Sequence, residues 1–159
     1  MRLADSSRMR EGGHVESDAR RAAVLALVRL GRSDDFKDRA DAGHSLAGFA
    51  EVGDAVVPLS ELLLDPGDTL VTRRTAEGLL RRNDAAGLKL VASALAAADD
   101  NHADWIESTT VEVFSIYSEE LDEARRICEQ IAADPSTDAS GVIRLRAILA
   151  EIDPVLRPA

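Results

Sequence analysis

The 159 residues predict an all-α protein, a short α-solenoid of about four stacked helical hairpins holding about eight helices. Three observations carry this expectation. First, the stretch Asp65 to Leu80 opens with turn chemistry, Pro66 and Gly67 followed by the N-cap residues Asp68 and Thr69. It continues with Leu70, Arg73, Ala76 and Leu80 at helical spacing along one face. Second, the stretch recurs upstream at a single fixed offset, where Phe36, Arg39, Ala42 and Leu46 hold the same four places. Third, hydrophobic residues make up 45% of the chain but aromatics only 3%. The core is therefore built from Ala, Leu, Val and Ile, which suits closely packed helices. No turn residue meets a run of alternating β-branched residues, so hairpin signals for strands are missing.

Taken in order, residues 1–15 are polar, carry Gly12-Gly13 and show no sustained period, so they read as a flexible N-terminal tail. Residues 16–153 form the repeat body and 154–159 a C-terminal tail. A helix from about Ser17 to Leu30, with Leu25, Val28 and Leu30 apolar, is the second half of an incomplete first repeat. Leu59, Leu62 and Leu64 repeat that pattern at the same offset. Asp34-Asp35 caps a helix running to about Ala50, which Gly53 ends. Its partner spans about Ala55 to Leu64, with Pro58 placed in the first turn, where backbone donors lack acceptors.

Helices follow near Thr69–Arg82 and Ala85–Ala98, separated by Asn83-Asp84. The third pair is His102–Tyr117 and Glu119–Ala133, with Ser118 as cap. In this pair Thr110 and Phe114 take the places of Ala76 and Leu80, while Glu107 replaces the arginine. The Asp-Pro turn returns at Asp134-Pro135, and Asp138 opens a last helix to Ile152 that covers the open end of the stack. In it Leu145 and Leu149 take the Ala76 and Leu80 roles, and Asp153-Pro154 ends it.

The pattern of Asp65, Pro66, Asp68, Val71, Arg73, Ala76 and Leu80 resembles a HEAT repeat of the short bacterial, bilin-lyase-like type. The resemblance covers roughly residues 17–152 and is most specific around Arg39 and Arg73. It implies antiparallel helix pairs stacked into a curved solenoid, with an aspartate and an arginine tying one repeat to the next. That role is carried here to Asp65, Arg39 and Arg73. In such solenoids the second helices line the concave face, which makes Glu61, Lys89, Ser93, Glu123 and Gln130 candidate surface positions.

Charge is uneven. Between Asp99 and Asp138 stand 12 acidic residues against Arg125 and Arg126, while the rest of the chain is balanced. The formal charge of −10 therefore belongs to the third repeat. Such a patch attracts cationic partners and repels phosphate backbones. The candidate binding surface is acidic: Asp99, Asp100, Asp104, Glu119, Glu120, Asp122 and Glu123, with Trp105 either an interface anchor at its rim or packed inward in the Phe36 and Leu70 place.

Chemistry is harder to find. His102 stands among Asp99, Asp100, Asp104 and Glu107, but no loop has EF-hand spacing and no second histidine lies at i+4. His44 and Ser45 have no acid partner fixed by sequence. Glycine-rich phosphate loops are missing. No metal and no cofactor is expected. The single Cys128, on an apolar helix face, reads as a buried structural thiol. The longest uncharged apolar run, Leu90 to Ala98, is too short for a bilayer, and no signal peptide is evident.

The expectation is a cytoplasmic, non-catalytic protein-binding scaffold for a basic protein partner, with no role for nucleic acid or membrane. The sequence leaves its oligomeric state open. Two alternatives stand beside it: an immunity or antitoxin-like inhibitor of a cationic toxin, and an accessory lyase or other enzyme using carboxylates near His102.

Overall fold

In the computed structural model, which describes the backbone of residues 5–157 and side chains from Glu16 on, the described chain is all-helical apart from turns and one isolated β-bridge. Eight α-helices follow one another: α1 (Asp5–Leu30), α2 (Phe36–Leu46), α3 (Gly53–Leu63), α4 (Thr69–Arg82), α5 (Ala85–Ala97), α6 (Asp100–Phe114), α7 (Ser118–Ala132) and α8 (Ala139–Glu151). A 3-10 turn, Ala47–Phe49, extends α2. The fold is the short α-solenoid the sequence predicts.

Two rows of helices make the stack. In one, α2 packs on α4 and α4 on α6; in the other, α1 packs on α3, α3 on α5 and α5 on α7. The repeat register explains the first row. Ala42, Ala76, Thr110 and Leu145 are fully buried, as are Leu46, Leu80 and Leu149, and Phe114 is all but buried. Each large residue lies one helical turn beyond its partner and fills the space between rows. Where α2 crosses α4, Gly43 faces Thr75, and a Cβ on Gly78 would stand 2.8 Å from the Ala47 Cβ and 2.9 Å from the His44 carbonyl. The two helices come this close because at each contact one of the facing residues is a glycine. The last helix closes the end by packing against α5, α6 and α7.

Aspartates start the helices. Asp35, Asp68, Asp84, Asp99 and Asp138 each accept a backbone N–H from the first turn of α2, α4, α5, α6 and α8, satisfying donors that have no intrahelical acceptor. At the other end of α4, Asn83 adopts φ 50°, the only non-glycine residue at positive φ among those described. Asparagine tolerates this left-handed cap better than a branched residue.

Several sequence expectations are corrected. Helix α1 begins at Asp5, so residues 5–15 continue a helix rather than forming a tail; residues 1–4 lie outside the described residues. Extending an existing helix avoids the cost of nucleation, so Gly12-Gly13 does not stop it. Leu25 of α1 is exposed although its counterpart Leu59 of α3 is buried, and Leu30 is exposed where Leu64 is half-buried. Helix α1 lies at the end of the stack, where among the described residues it packs mainly on α2 and α3.

Gly53 starts α3 instead of ending α2, which puts Pro58 in the second turn, where its ring withholds the bond that the Asp54 carbonyl would otherwise receive. Helix α6 starts at Asp100 and stops at Phe114, short of Tyr117, and Ser118 is the first residue of α7 rather than its cap. Residues 154–157, in the C-terminal tail, lie as a strap on the α6–α7 turn; residues 158–159 lie outside the described residues.

Candidate functional site

The candidate residues rest on a ladder of interactions between helix-joining loops. Asp65 closes the α3–α4 turn, accepting the backbone N–H of Gly67 and of Asp68, each at 2.9 Å. The guanidinium of Arg39 on α2 reaches both carboxylate oxygens, at 2.8 and 3.1 Å. It also donates to the carbonyls of Ser33 and Asp34 in the preceding loop. Both side chains are largely buried. Burial pushes the Asp65 carboxyl up, but Arg39 and the turn N–H groups outweigh it and hold the acid below its ordinary range.

Arg73, the repeat counterpart of Arg39, does not reproduce this pairing. It lies across from Glu112 on α6, at 3.0 Å and mostly in solvent. It ties α4 to α6, but not through an aspartate of the next turn, because Asp99 is engaged elsewhere. That engagement is with His102. Asp99 Oδ1 accepts the His102 backbone N–H at 2.8 Å and lies 2.7 Å from its Nδ1. The other ring nitrogen, Nε2, is 3.0 Å from the Asp65 carbonyl oxygen. The carbonyl raises the His102 pKa most; partial burial opposes this, and the Asp99 carboxylate adds to it.

The acidic surface expected from the sequence divides in two. Asp99, Asp100 and Asp104 lie at the start of α6, beside the Asp65 turn through the His102 bond. Glu119, Glu120, Asp122 and Glu123 lie at the start of α7, and the Glu120 carbonyl accepts the side-chain N–H of Asn83 at the far end of α4. The 14 residues of α4 set these edges about 20 Å apart. A hairpin necessarily puts the two helix starts at opposite ends, so adjacency in sequence does not become one patch. At the second edge Asp122 pairs with Arg125 and Glu123 with Arg126, whereas Glu119 and Glu120 have no cationic partner among the described residues.

Trp105 is 39% exposed, so it sits at the rim of the first edge, neither buried in the core nor free of it. Among the second-helix positions, Glu61, Ser93 and Gln130 are exposed, while Lys89 is bound to Asp134 and Glu123 to Arg126.

A surface the sequence reading missed lies beside Glu119 and Glu120. Asp153-Pro154 ends α8, and the chain then lies along the α6–α7 turn. Val155 and Leu156 donate their N–H groups to the Ser115 and Ile116 carbonyls at 2.8 Å, and Ser118 donates to the Leu156 carbonyl at 3.0 Å. This pairing presents Ile116, Tyr117, Val155 and Leu156 to solvent at 46%, 49%, 80% and 51% exposure. The available signal was the pair of apolar residues that follows each of Ser115 and Pro154, but a helix drawn through Tyr117 left no turn there for the strap to lie on.

Around the remaining chemistry the groups are occupied or apart. An open hollow of about 330 Å³ is lined by Asp65 to Thr69, Asn101 and His102, yet both His102 ring nitrogens are already within hydrogen-bond distance of acceptors. His44 is half-buried with Nδ1 near the Arg74 carbonyl, while Ser45 faces solvent. Among the described residues no three His, Cys, Asp or Glu side chains converge as a metal site, and no helix is long and apolar enough to cross a membrane. Cys128 is fully buried, and that burial pushes its thiol up to about 11. Comparison with protein-family models, curated proteins and solved structures found no match in any of the three.

Proposed function

We propose that this chain is a non-catalytic protein-binding scaffold whose third helical pair, α6 and α7, engages a basic protein partner. The supporting observation is the concentration of unneutralised carboxylates on these helices: Asp100, Asp104, Glu107, Glu119, Glu120 and Glu129 are exposed and without an ion pair among the described residues. The rest of the chain, in contrast, carries as many cations as carboxylates, some of them in pairs such as Arg82 with Asp84 and Glu51. A rigid stack of packed helices lowers the ordering cost of association, and an acidic face raises the encounter rate with a cationic one. The resemblance of the repeat to HEAT motifs and a cytoplasmic setting belong to the same reading.

The test is retention of partners from native cell extract at low and high salt by three proteins: wild type, an E119Q/E120Q/D122N/E123Q variant and a D100N/D104N variant. An identified basic protein, held by wild type and released by salt and by one of the variants, is the expected result. Retention indifferent to salt and to both variants would overturn the charge-steered reading.

A further inference from the structure

We infer that the α6–α7 turn and the C-terminal strap together form the docking surface, and that its occupant is a protein segment with apolar residues flanked by lysine or arginine. The inference rests on the basic-partner reading and selects one of its two acidic edges. Single exposed apolar residues need no explanation, but a contiguous group held in place does. Here the turn that carries Ile116 and Tyr117 is joined to Val155 and Leu156 by three main-chain hydrogen bonds, through Ser115, Ile116 and Ser118. The backbone that presents these side chains is thus set before anything binds, which spares an incoming segment part of the ordering cost.

Charge decides what covers the patch. Glu119 and Glu120 stand just beyond Tyr117, in the first turn of α7. The cations nearby are committed: Arg157 pairs with Asp153, Arg73 with Glu112, and Arg125 donates to the Leu149 and Ile152 carbonyls. An apolar centre with an acidic border complements an apolar segment bordered by cations. A second copy of this chain would bring its own Glu119 and Glu120 against the first pair, and a phosphate backbone would meet the same repulsion. The first edge offers no comparable centre, since Trp105 is its one large exposed apolar residue.

The test titrates the full isotope-labelled chain with three synthetic peptides and follows backbone amide shifts. One peptide carries two leucines flanked on each side by two lysines; the others replace the leucines by serine or the lysines by glutamate. The lysine–leucine peptide is expected to shift the amides of Ile116, Tyr117, Leu156 and Arg157, binding at least tenfold tighter than either control. I116S/V155S is expected to abolish those shifts while leaving the amide spectrum of the rest of the chain in place, because Val155 is exposed and Ile116 half-exposed. E119Q/E120Q should weaken binding several-fold and flatten its salt dependence.

Shifts confined to Asp100–Trp105 would overturn this surface and leave the basic-partner reading intact. Equal binding of the serine peptide would reduce the site to charge alone and overturn it. Self-association of wild type that I116S/V155S abolishes would assign the patch to a second copy and overturn it as well. A partner captured in the extract experiment but unaffected by I116S/V155S would likewise sink the inference, while failure to capture any basic partner would sink the broader reading.

Discussion

His102 Nε2 lies 3.0 Å from the carbonyl oxygen of Asp65, 37 residues away in sequence. The other face of the ring meets Asp99 Oδ1, so both nitrogens confront acceptors. A neutral imidazole can donate from only one nitrogen, and the arrangement is fully satisfied only by the imidazolium. This single side chain joins the α3–α4 turn to the α5–α6 turn.

A pH dependence follows from that geometry. The His102 pKa is raised, mainly by the Asp65 carbonyl. Its contribution is therefore full below the unfolded value of about 6.5 and is lost as pH rises through the folded value. Asp99 is lowered, by the His102 backbone N–H first and its ring second, so its share is present above about pH 4 and lost as pH falls further. The melting-temperature gap between wild type and H102A should thus be larger at pH 5.5 than at pH 8.5. Loss of one hydrogen bond of about 1 kcal/mol corresponds to about 2–4 °C in a chain of this size. An equal gap at both pH values would mean that folding does not shift the His102 pKa.

The ion pairs of the two repeat arginines should respond very differently to disruption. D65A strands the Arg39 guanidinium and leaves the Gly67 and Asp68 N–H groups without their acceptor, a loss of about 3–5 kcal/mol for a buried pair. R73A removes a solvent-exposed pair with Glu112, with an expected change below about 1 kcal/mol. Urea unfolding of the two variants measures the contrast, and similar losses would refute it.

Gly141 is a packing requirement of the last helix. A Cβ there would overlap the Ala92 carbonyl on α5, so G141A must push α8 outward, with an expected loss of about 1–3 kcal/mol. Gly48 provides the control, with nothing near its would-be Cβ; G48A should be neutral or stabilising by up to about 1 kcal/mol. Thermal unfolding of both variants decides the point.

Cys128 should resist modification. It is buried on α7 beside Ile127 and Ile131, with its pKa raised to about 11 by that burial. A thiol reagent at pH 8 should label the folded protein orders of magnitude more slowly than the protein in denaturant. The labelling rate should track unfolding. Prompt reaction under native conditions would show that α7 opens locally.

Helix order and core register were legible because both depend on local spacing. Ala42 and Leu46 recur as Ala76 and Leu80, and all four are fully buried, as a periodic apolar face demands. Aspartate caps were legible for a related reason: at α4, Asp68 contacts the N–H of Leu70 within the same turn. Leu25 shows where this stops. It repeats the pattern of buried Leu59, yet stands exposed because no further layer covers α1.

By itself, then, the sequence determined an all-helical stack, its aspartate caps and the sum of charge on α6 and α7. Only the tertiary structure decided where that charge goes. The reversal of chain direction between α6 and α7 separates Asp99, Asp100 and Asp104 from Glu119 and Glu120. Helix packing also placed Asp65 against His102, and Val155 and Leu156 against Ile116 and Tyr117. These are contacts between segments far apart in the chain, set by the angles at which helices pack and by where loops end, and no local spacing rule encodes them.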